Sequence, residues 1–413
     1  MSYHPIKIST AMFLSAVLFL SCATLYRVPC PDTAQMRQTV NELCSPTYEG
    51  RLAGHTGDSL LASLLAHKLS ALGFEPFFEN GPLQPFSVKS IHSYNTVMIY
   101  RGRNANRTLL IGAHYDHLGT GGKGSGSLRP DTLAIHFGAD DNASGVAMAI
   151  ETARLLTLHA RSRPDLFKAN IIVAAFGAEE AGTLGSKKLA DTLAALAQLP
   201  DLMINLDMTG RLKDSVLQVS GTGTFSQADS LLASARTEHF PLKLKTSLSG
   251  YGPSDHAVFY TQKVPVLFFT TGPHADYHTP FDTPDKLNYP GMVDIVAYVT
   301  GVAARFAEGN FIPVCLETEV PDMGTPKAAF KASLGVIPDF TYEGKGFCAG
   351  TVITGRPSQR AGMKNGDVVI AIDNTPIKNI EDYMKKLATL EKGMTITIIV
   401  QRDSQNYTLE VTL

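Results

Sequence analysis

The sequence predicts a layered α/β fold for most of its length, with a mixed, mostly parallel central sheet flanked by helices. A small β-rich domain follows it. Three observations carry this. Short, almost wholly apolar runs such as Thr108–Ala113, Ala169–Phe176 and Val264–Thr270 suit strands buried on both faces. Helical periods alternate with them. Beyond a stretch at 311–327 that carries Pro313, Pro321, Gly324 and Pro326, the texture changes to short strands and Gly-rich turns.

Taken in order, the first 22 residues read as a secretion signal. Lys7 supplies the charge and Ile8 to Leu20 the apolar core, too short to span a membrane. Leu18-Phe19-Leu20-Ser21-Cys22 resembles a bacterial lipobox, which implies export and a lipid anchor at Cys22, in the periplasm or outer membrane. Residues 23–50 read as a tether and a first helix. Thr56 to Leu72 places Leu61, Leu64, Leu65, Leu69 and Leu72 on one helical face, and Gly73 stops it. Strands are expected at Asn95–Tyr100, Thr108–Ala113, Ala169–Phe176, Leu202–Leu206, Ser215–Ser220 and Val264–Thr270. Helices are expected at Val146–Leu158, Leu184–Gln198, Phe225–His239, Met292–Ala307 and Ile380–Leu390. The resulting plan is a main domain over 23–310, a linker over 311–327 and a second domain over 328–413.

The 413 residues are 44% hydrophobic with a net charge of −2, so nothing in the bulk suggests nucleic-acid affinity. Cys30, Cys44, Cys315 and Cys348 follow no zinc-ribbon spacing, and their pairing cannot be deduced from sequence.

The chemistry centres on Gly138-Ala139-Asp140-Asp141-Asn142-Ala143-Ser144-Gly145, where a Gly/Ser-rich loop opens into a helix. Adjacent carboxylates at such a junction are costly unless a cation neutralises them. An acidic helix cap is the plain alternative, with Ser144 or Asn142 capping. It loses ground to the company kept by the stretch: His114, Asp116, Glu179, Glu180, Asp207 and His278 all lie near the ends of apolar runs. In α/β sheets, ligands bind beyond the carboxyl ends of strands, so these residues are expected on one rim. His, Asp and Glu without Cys suit Zn²⁺, with Mn²⁺ or Co²⁺ as substitutes. Two His and three carboxylates suffice for a pair of ions when one carboxylate bridges. Of the neighbours Glu179 and Glu180, one can be a ligand while the other takes a proton from water.

Five strings carry a resemblance: His114-Tyr115-Asp116-His117-Leu118-Gly119, the Gly138–Gly145 stretch, Ala178–Ser186, Ile204-Asn205-Leu206-Asp207 and Asp276-Tyr277-His278-Thr279-Pro280. Together they resemble the secreted di-zinc aminopeptidases, whose fold is shared by glutamate carboxypeptidases and glutaminyl cyclases. The resemblance implies two Zn²⁺: His114 and Asp207 on one, Glu180 and His278 on the other, with Asp141 bridging. Asp140 becomes an accessory carboxylate, and Asp116 would orient the His114 ring. Glu179 would be the general base that activates a water between the ions. Tyr277 would steady the oxyanion, and a cis peptide is implied after Asp141. The complete metal set disfavours the one-zinc cyclase branch. His117, His136, His256 and His274 read as supporting, loop or core residues. Ser254-Asp255-His256 are consecutive and cannot form a catalytic triad; Ser254 reads as a helix cap. Gly119–Ser127 does not lead into a helix and is a loop, not a phosphate cradle.

Leu334-Gly335-Val336, Gln359–Met363 and Gly366–Ile370 resemble a PDZ domain of the HtrA-protease kind. That implies a groove for a peptide C-terminus, unless the domain only braces its neighbour. The reading is an exported aminopeptidase acting on peptide substrates. Its alternatives are a dipeptide-releasing enzyme or carboxypeptidase of the same fold, or an inactive scaffold presenting the PDZ domain.

Overall fold

The computed structural model describes residues 30–103, 106–129, 131–236, 242–318, 332–339, 342, 344–352, 355–387 and 389–413. The secretion signal and the lipobox-like run fall outside these, as does most of the linker.

The chain opens with α1 (Thr33–Leu43), capped by Asp32, whose side chain accepts from the Ala34 and Gln35 amides. In α2 (Thr56–Ala71), Leu61, Leu65 and Leu69 are buried, while Leu64 and Leu72 pack partly buried beside them. A nine-stranded sheet follows: β1 (Glu75–Pro76), β2 (Leu83–Val88), β3 (Ile91–Tyr100), β4 (Thr108–His114), β5 (Asn170–Phe176), β6 (Leu202–Leu206), β7 (Val216–Ser220), β8 (Lys243–Thr246) and β9 (Val266–Thr270). Its centre, in the order β5-β4-β6-β9, is parallel. The flanks turn antiparallel where β3 joins β5 and β7 joins β9. The central strands read as continuous apolar runs because helices cover both faces.

Alternate residues of each strand serve opposite layers. Leu109, Ile111, Ala113, Ile204 and Leu206 face one core with α3 (Gly145–Ser162), α5 (Ala228–Ser234) and α7 (Tyr289–Ala307). Leu110, Ile172, Phe176 and Met203 face the other, with α4 (Leu184–Ala195) and α6 (His256–Thr261) between them and solvent. The helix expected over 225–239 is shorter in the described residues, because α5 begins only at Ala228. Asn288 starts α7 by accepting the Gly291 amide, with Pro290 in the first turn.

The second sheet combines β10 (Val336–Pro338), β11 (Phe347–Val352), β12 (Val368–Ile372), β13 (Thr375–Pro376), β14 (Thr395–Arg402) and β15 (Gln405–Thr412). With α8 (Pro357–Arg360) and α9 (Ile380–Leu387) it encloses its own core, in which Phe347 stacks on Tyr383 at 3.7 Å. Leu334 belongs to that core and is 1% exposed.

The start of the expected linker behaves differently from a free connection. Leu316 donates its amide to the Thr224 carbonyl, and Thr318 donates to the Tyr260 hydroxyl. Tyr260 in turn donates to the Leu316 carbonyl, and Gly250 donates to Thr318 Oγ1. Residues 311–318 are thus a strap along the main domain. Cys30, Cys44, Cys315 and Cys348 are all free thiols.

Candidate metal centre

The four parallel strands deliver their chemistry at one end. His114 is the last residue of β4, and Asp207 follows β6 directly. Glu179 and Glu180 lie in the loop after β5, and Tyr277 and His278 in the loop after β9. Asp140 and Asp141 come from the distorted turn Ala139–Ser144 that starts α3, which contains a cis Asp141–Asn142 peptide bond.

The donors form two groups that share one carboxylate. His114 Nε2 lies 3.2 Å from Asp141 Oδ1 and 3.4 Å from Asp207 Oδ1. His278 Nε2 lies 3.1 Å from Asp141 Oδ2 and 3.2 Å from Glu180 Oε2. Tetrahedral zinc with bonds near 2.0–2.1 Å has ligand–ligand edges of about 3.3 Å, and the edges from His114 and His278 to their carboxylates are close to that. Asp141 Oδ2 and Asp207 Oδ1 are buried without hydrogen-bond partners. The donor set therefore fits zinc.

His117 stands at the edge of the second group. Its Nδ1 is 2.9 Å from Glu180 Oε1 but 3.9 Å from Asp141 Oδ2. The second distance is longer than a tetrahedral edge, yet His117, Asp141 and Glu180 keep donor atoms within 4.8 Å of one another, close enough to hold an ion. His117, read from the sequence as a supporting residue, thus faces this group together with His278.

The electrostatics describe a cluster that requires positive charge. Burial opposes a charged His114, yet the Asp207 and Asp141 carboxylates hold its pKa well above the usual range. His278 is raised in the same way by Glu180 and Asp141. Burial would raise Glu180, but His278 and His117 bring it down to about 2. Glu179 is pushed well above its usual value by burial, the nearby His114 only partly opposing this. Tyr277 stacks on His278 at 3.8 Å, and burial, then the Asp141 charge, raises its phenol strongly. It stays a donor at neutral pH.

Asp116 faces the His114 ring and holds the glutamate loop as well. Its carboxylate oxygens accept the Glu179 and Glu180 amides at 2.9 and 3.2 Å. The His114 ring is 3.8 Å from that carboxylate and 3.3 Å from the Asp116 main-chain oxygen. The side chain thus pins the glutamate pair, and the main chain meets the ring. Burial raises the Asp116 pKa to about 8. Asp140 accepts from Ser144 Oγ and the Gly210 amide, with His274 Nε2 at 3.1 Å. Asp282 accepts the amides of Asp140 and Asp141.

The donors line a cavity of about 50 Å³, with Met208, Pro253, Phe268 and Thr270 in its wall. A larger groove of about 650 Å³ runs along α1 and contains none of these residues.

Residues 95–303 match the profile of peptidase family M28, half of the chain. The chain belongs to peptidase family M28. Residues 334–413 match the PDZ domain, so this M28 peptidase carries a PDZ domain at its C-terminal side. It is 26% identical over 233 residues to the uncharacterised protein YfbL of Escherichia coli, covering 49% of this chain and 68% of that one. It is 30% identical over 166 residues to the aminopeptidase YwaD of Bacillus subtilis, covering 38% of this chain and only 35% of that one. The LapA aminopeptidase structure from Legionella pneumophila covers 67% of this chain and 72% of its own, at 22% identity and a TM-score of 0.54. That likeness shows the fold alone.

Several supporting residues of this M28 peptidase escaped sequence reasoning. Ser254 does not cap α6; its hydroxyl donates to Asp207 Oδ2 at 2.6 Å and accepts from Asn205. Asn142 accepts the Gly145 amide at the start of α3, the capping contact its sequence position suggested, and its unforeseen bonds are to the Leu206 carbonyl and from the Met208 amide, joining α3 to the end of β6. No spacing rule signals such contacts between remote segments.

Proposed function

We propose that this M28 peptidase is an exported, zinc-dependent aminopeptidase that removes N-terminal residues from peptides. The observation that carries the reading is the pair of donor groups sharing Asp141, with Glu179 beside them. His114 and Asp207 would hold one zinc, Glu180 and His278 the other, and Asp141 both. Two bound zincs would polarise the scissile carbonyl and acidify a water at the site. Glu179 takes the proton of the attacking water and returns it to the leaving amine. The Tyr277 hydroxyl donates toward the developing oxyanion. Asp116 keeps both glutamates in place through their amides. Convergence of all five donors speaks against an inactive scaffold.

The test is metal analysis paired with turnover of an aminoacyl chromogen. Wild type should hold close to two zincs, and Asp141→Asn should lose activity and most of both. Glu179→Gln should keep zinc and lose about 10²–10⁴-fold in kcat, whereas Glu180→Gln should weaken zinc binding. Full metal retention in Asp141→Asn, or exchanged phenotypes of the two glutamates, would refute these roles.

The proposed plan keeps a main domain over 23–310, a connection over 311–327 and the PDZ domain over 328–413, with anchoring at Cys22. No helix among the described residues is long and apolar enough to cross a membrane.

A further inference from the structure

Among the described residues, Arg51 is the largest fully buried side chain. No carboxylate pairs with it there. A guanidinium out of water costs several kcal/mol unless its donors are satisfied, and here main-chain oxygens satisfy them. Nε donates to the Tyr115 carbonyl at 2.7 Å. Nη1 donates to the carbonyls of Leu43 at 3.2 Å and Phe137 at 2.5 Å, and Nη2 to that of Gly138 at 2.9 Å. The backbone of the same segment is knitted to the rim as well: His117 donates its amide to the Arg51 carbonyl, and Gly119 to that of Gly50. Arg51 itself has φ 55°, a left-handed conformation that a side chain adopts only when its surroundings enforce it.

The carbonyls it gathers are not a random set. Tyr115 follows His114 directly, and Gly138 stands three residues before Asp141. One planar fork therefore spans the two segments whose side chains meet at 3.2 Å between His114 Nε2 and Asp141 Oδ1. A lysine, with one compact ammonium, cannot span three segments in fixed geometry. Arg51 also lies outside the residues matched by the family profile.

We propose that Arg51 is a positioning residue of the metal centre, setting the distance between the segment that carries His114 and the segment that carries the shared Asp141. The proposal rests on the zinc reading above.

The experiment titrates zinc alone into the metal-free full-length chain against a chromogenic chelator and records thermal unfolding of the same samples. Arg51→Met should bind zinc about 10–100-fold more weakly, the usual effect of removing a group that orients ligands, and both ions should weaken together because Asp141 serves both. Arg51→Lys keeps the charge without the fork, so it should fold and show a smaller loss in the same direction; it decides the matter if Arg51→Met fails to fold. Tyr298→Phe is the control for stability alone: it removes a buried hydrogen bond from α7 to the Leu232 carbonyl of α5, which involves none of the metal donors. It should melt earlier and bind zinc as wild type does. Unchanged zinc affinity in Arg51→Lys, or an equal loss in Tyr298→Phe, would overturn the positioning role. Wild-type protein that binds no zinc would refute the metal reading itself, before any variant is compared, and this inference with it.

Discussion

His256 shows what burial alone does to a titrating side chain. Its ring lies against Phe268 at 4.3 Å, fully buried, and neither nitrogen meets a hydrogen-bond partner among the described residues. Burial brings its pKa down to about 3, against about 6.5 in an unfolded chain. Between those values the unfolded chain binds a proton that the folded chain refuses. Stability is therefore fully present above about pH 6.5 and falls as the pH drops toward 3, by up to about 1.4 kcal/mol per pH unit. His256→Phe should keep the stacking and remove this term, giving a shallower fall of Tm between pH 6.5 and 4. Identical slopes for wild type and variant would show that His256 is not the source. Single residues were unevenly legible in the sequence. His114 and Asp207 stand out as polar residues closing apolar strands, and Asp141 as one of two adjacent carboxylates at a helix start, whereas the assignment of ligands among them rested on the family resemblance. Arg51 does not stand out, since one arginine between two helices looks like a surface residue until its carbonyl partners are known. Ser254 read as a cap because Ser is favoured where a helix starts, whereas its hydroxyl is engaged by Asp207.

At the level of elements, the parallel centre was legible because strands buried on both faces are apolar throughout. The antiparallel joins of β3 and β7 were not, because strand direction leaves no trace in hydropathy. The strap was also hidden: Pro313 marks 311–318 as a connection, and the exposure of the apolar Ile312 and Val314 gives no sign of docking. What fixes it is hydrogen bonding to Thr224, Gly250 and Tyr260, which composition does not reveal. This makes a truncation prediction. A chain ending after Thr318 should melt as the main domain does in the full protein. A chain ending after Gly309 loses four such bonds, each worth about 1 kcal/mol net, and should melt several degrees lower, at about 2–4 °C per kcal/mol for a domain of this size. Equal Tm values would mean the strap is only resting on the surface.

Two proposals concern the molecule as a whole. If Cys22 is lipidated, each buried CH₂ contributes about 0.8 kcal/mol to membrane binding, and Cys22→Ala should move the protein from the membrane fraction to the soluble one. Wild type recovered wholly in the soluble fraction would count against the anchor. The PDZ domain offers a second contact to a peptide whose free N-terminus sits at the rim. Gripping both ends raises the effective concentration of the second contact, so deletion after Gly324 should leave kcat/KM unchanged for a short chromogen and lower it increasingly with peptide length. A loss equal at all lengths would assign the domain a bracing role instead. The placement of the metal donors has a consequence of another kind. They are scattered from position 114 to position 278 and meet only when β5, β4, β6 and β9 lie side by side. The unfolded chain has no such pair of sites, so zinc would be a ligand of the folded state alone. Above saturation, each tenfold rise in free zinc would then favour folding by about 1.4 kcal/mol per ion. Metal supply would decide how long the chain survives among neighbouring proteases as well as how fast it works, and starvation for zinc would be felt first as turnover of the protein itself.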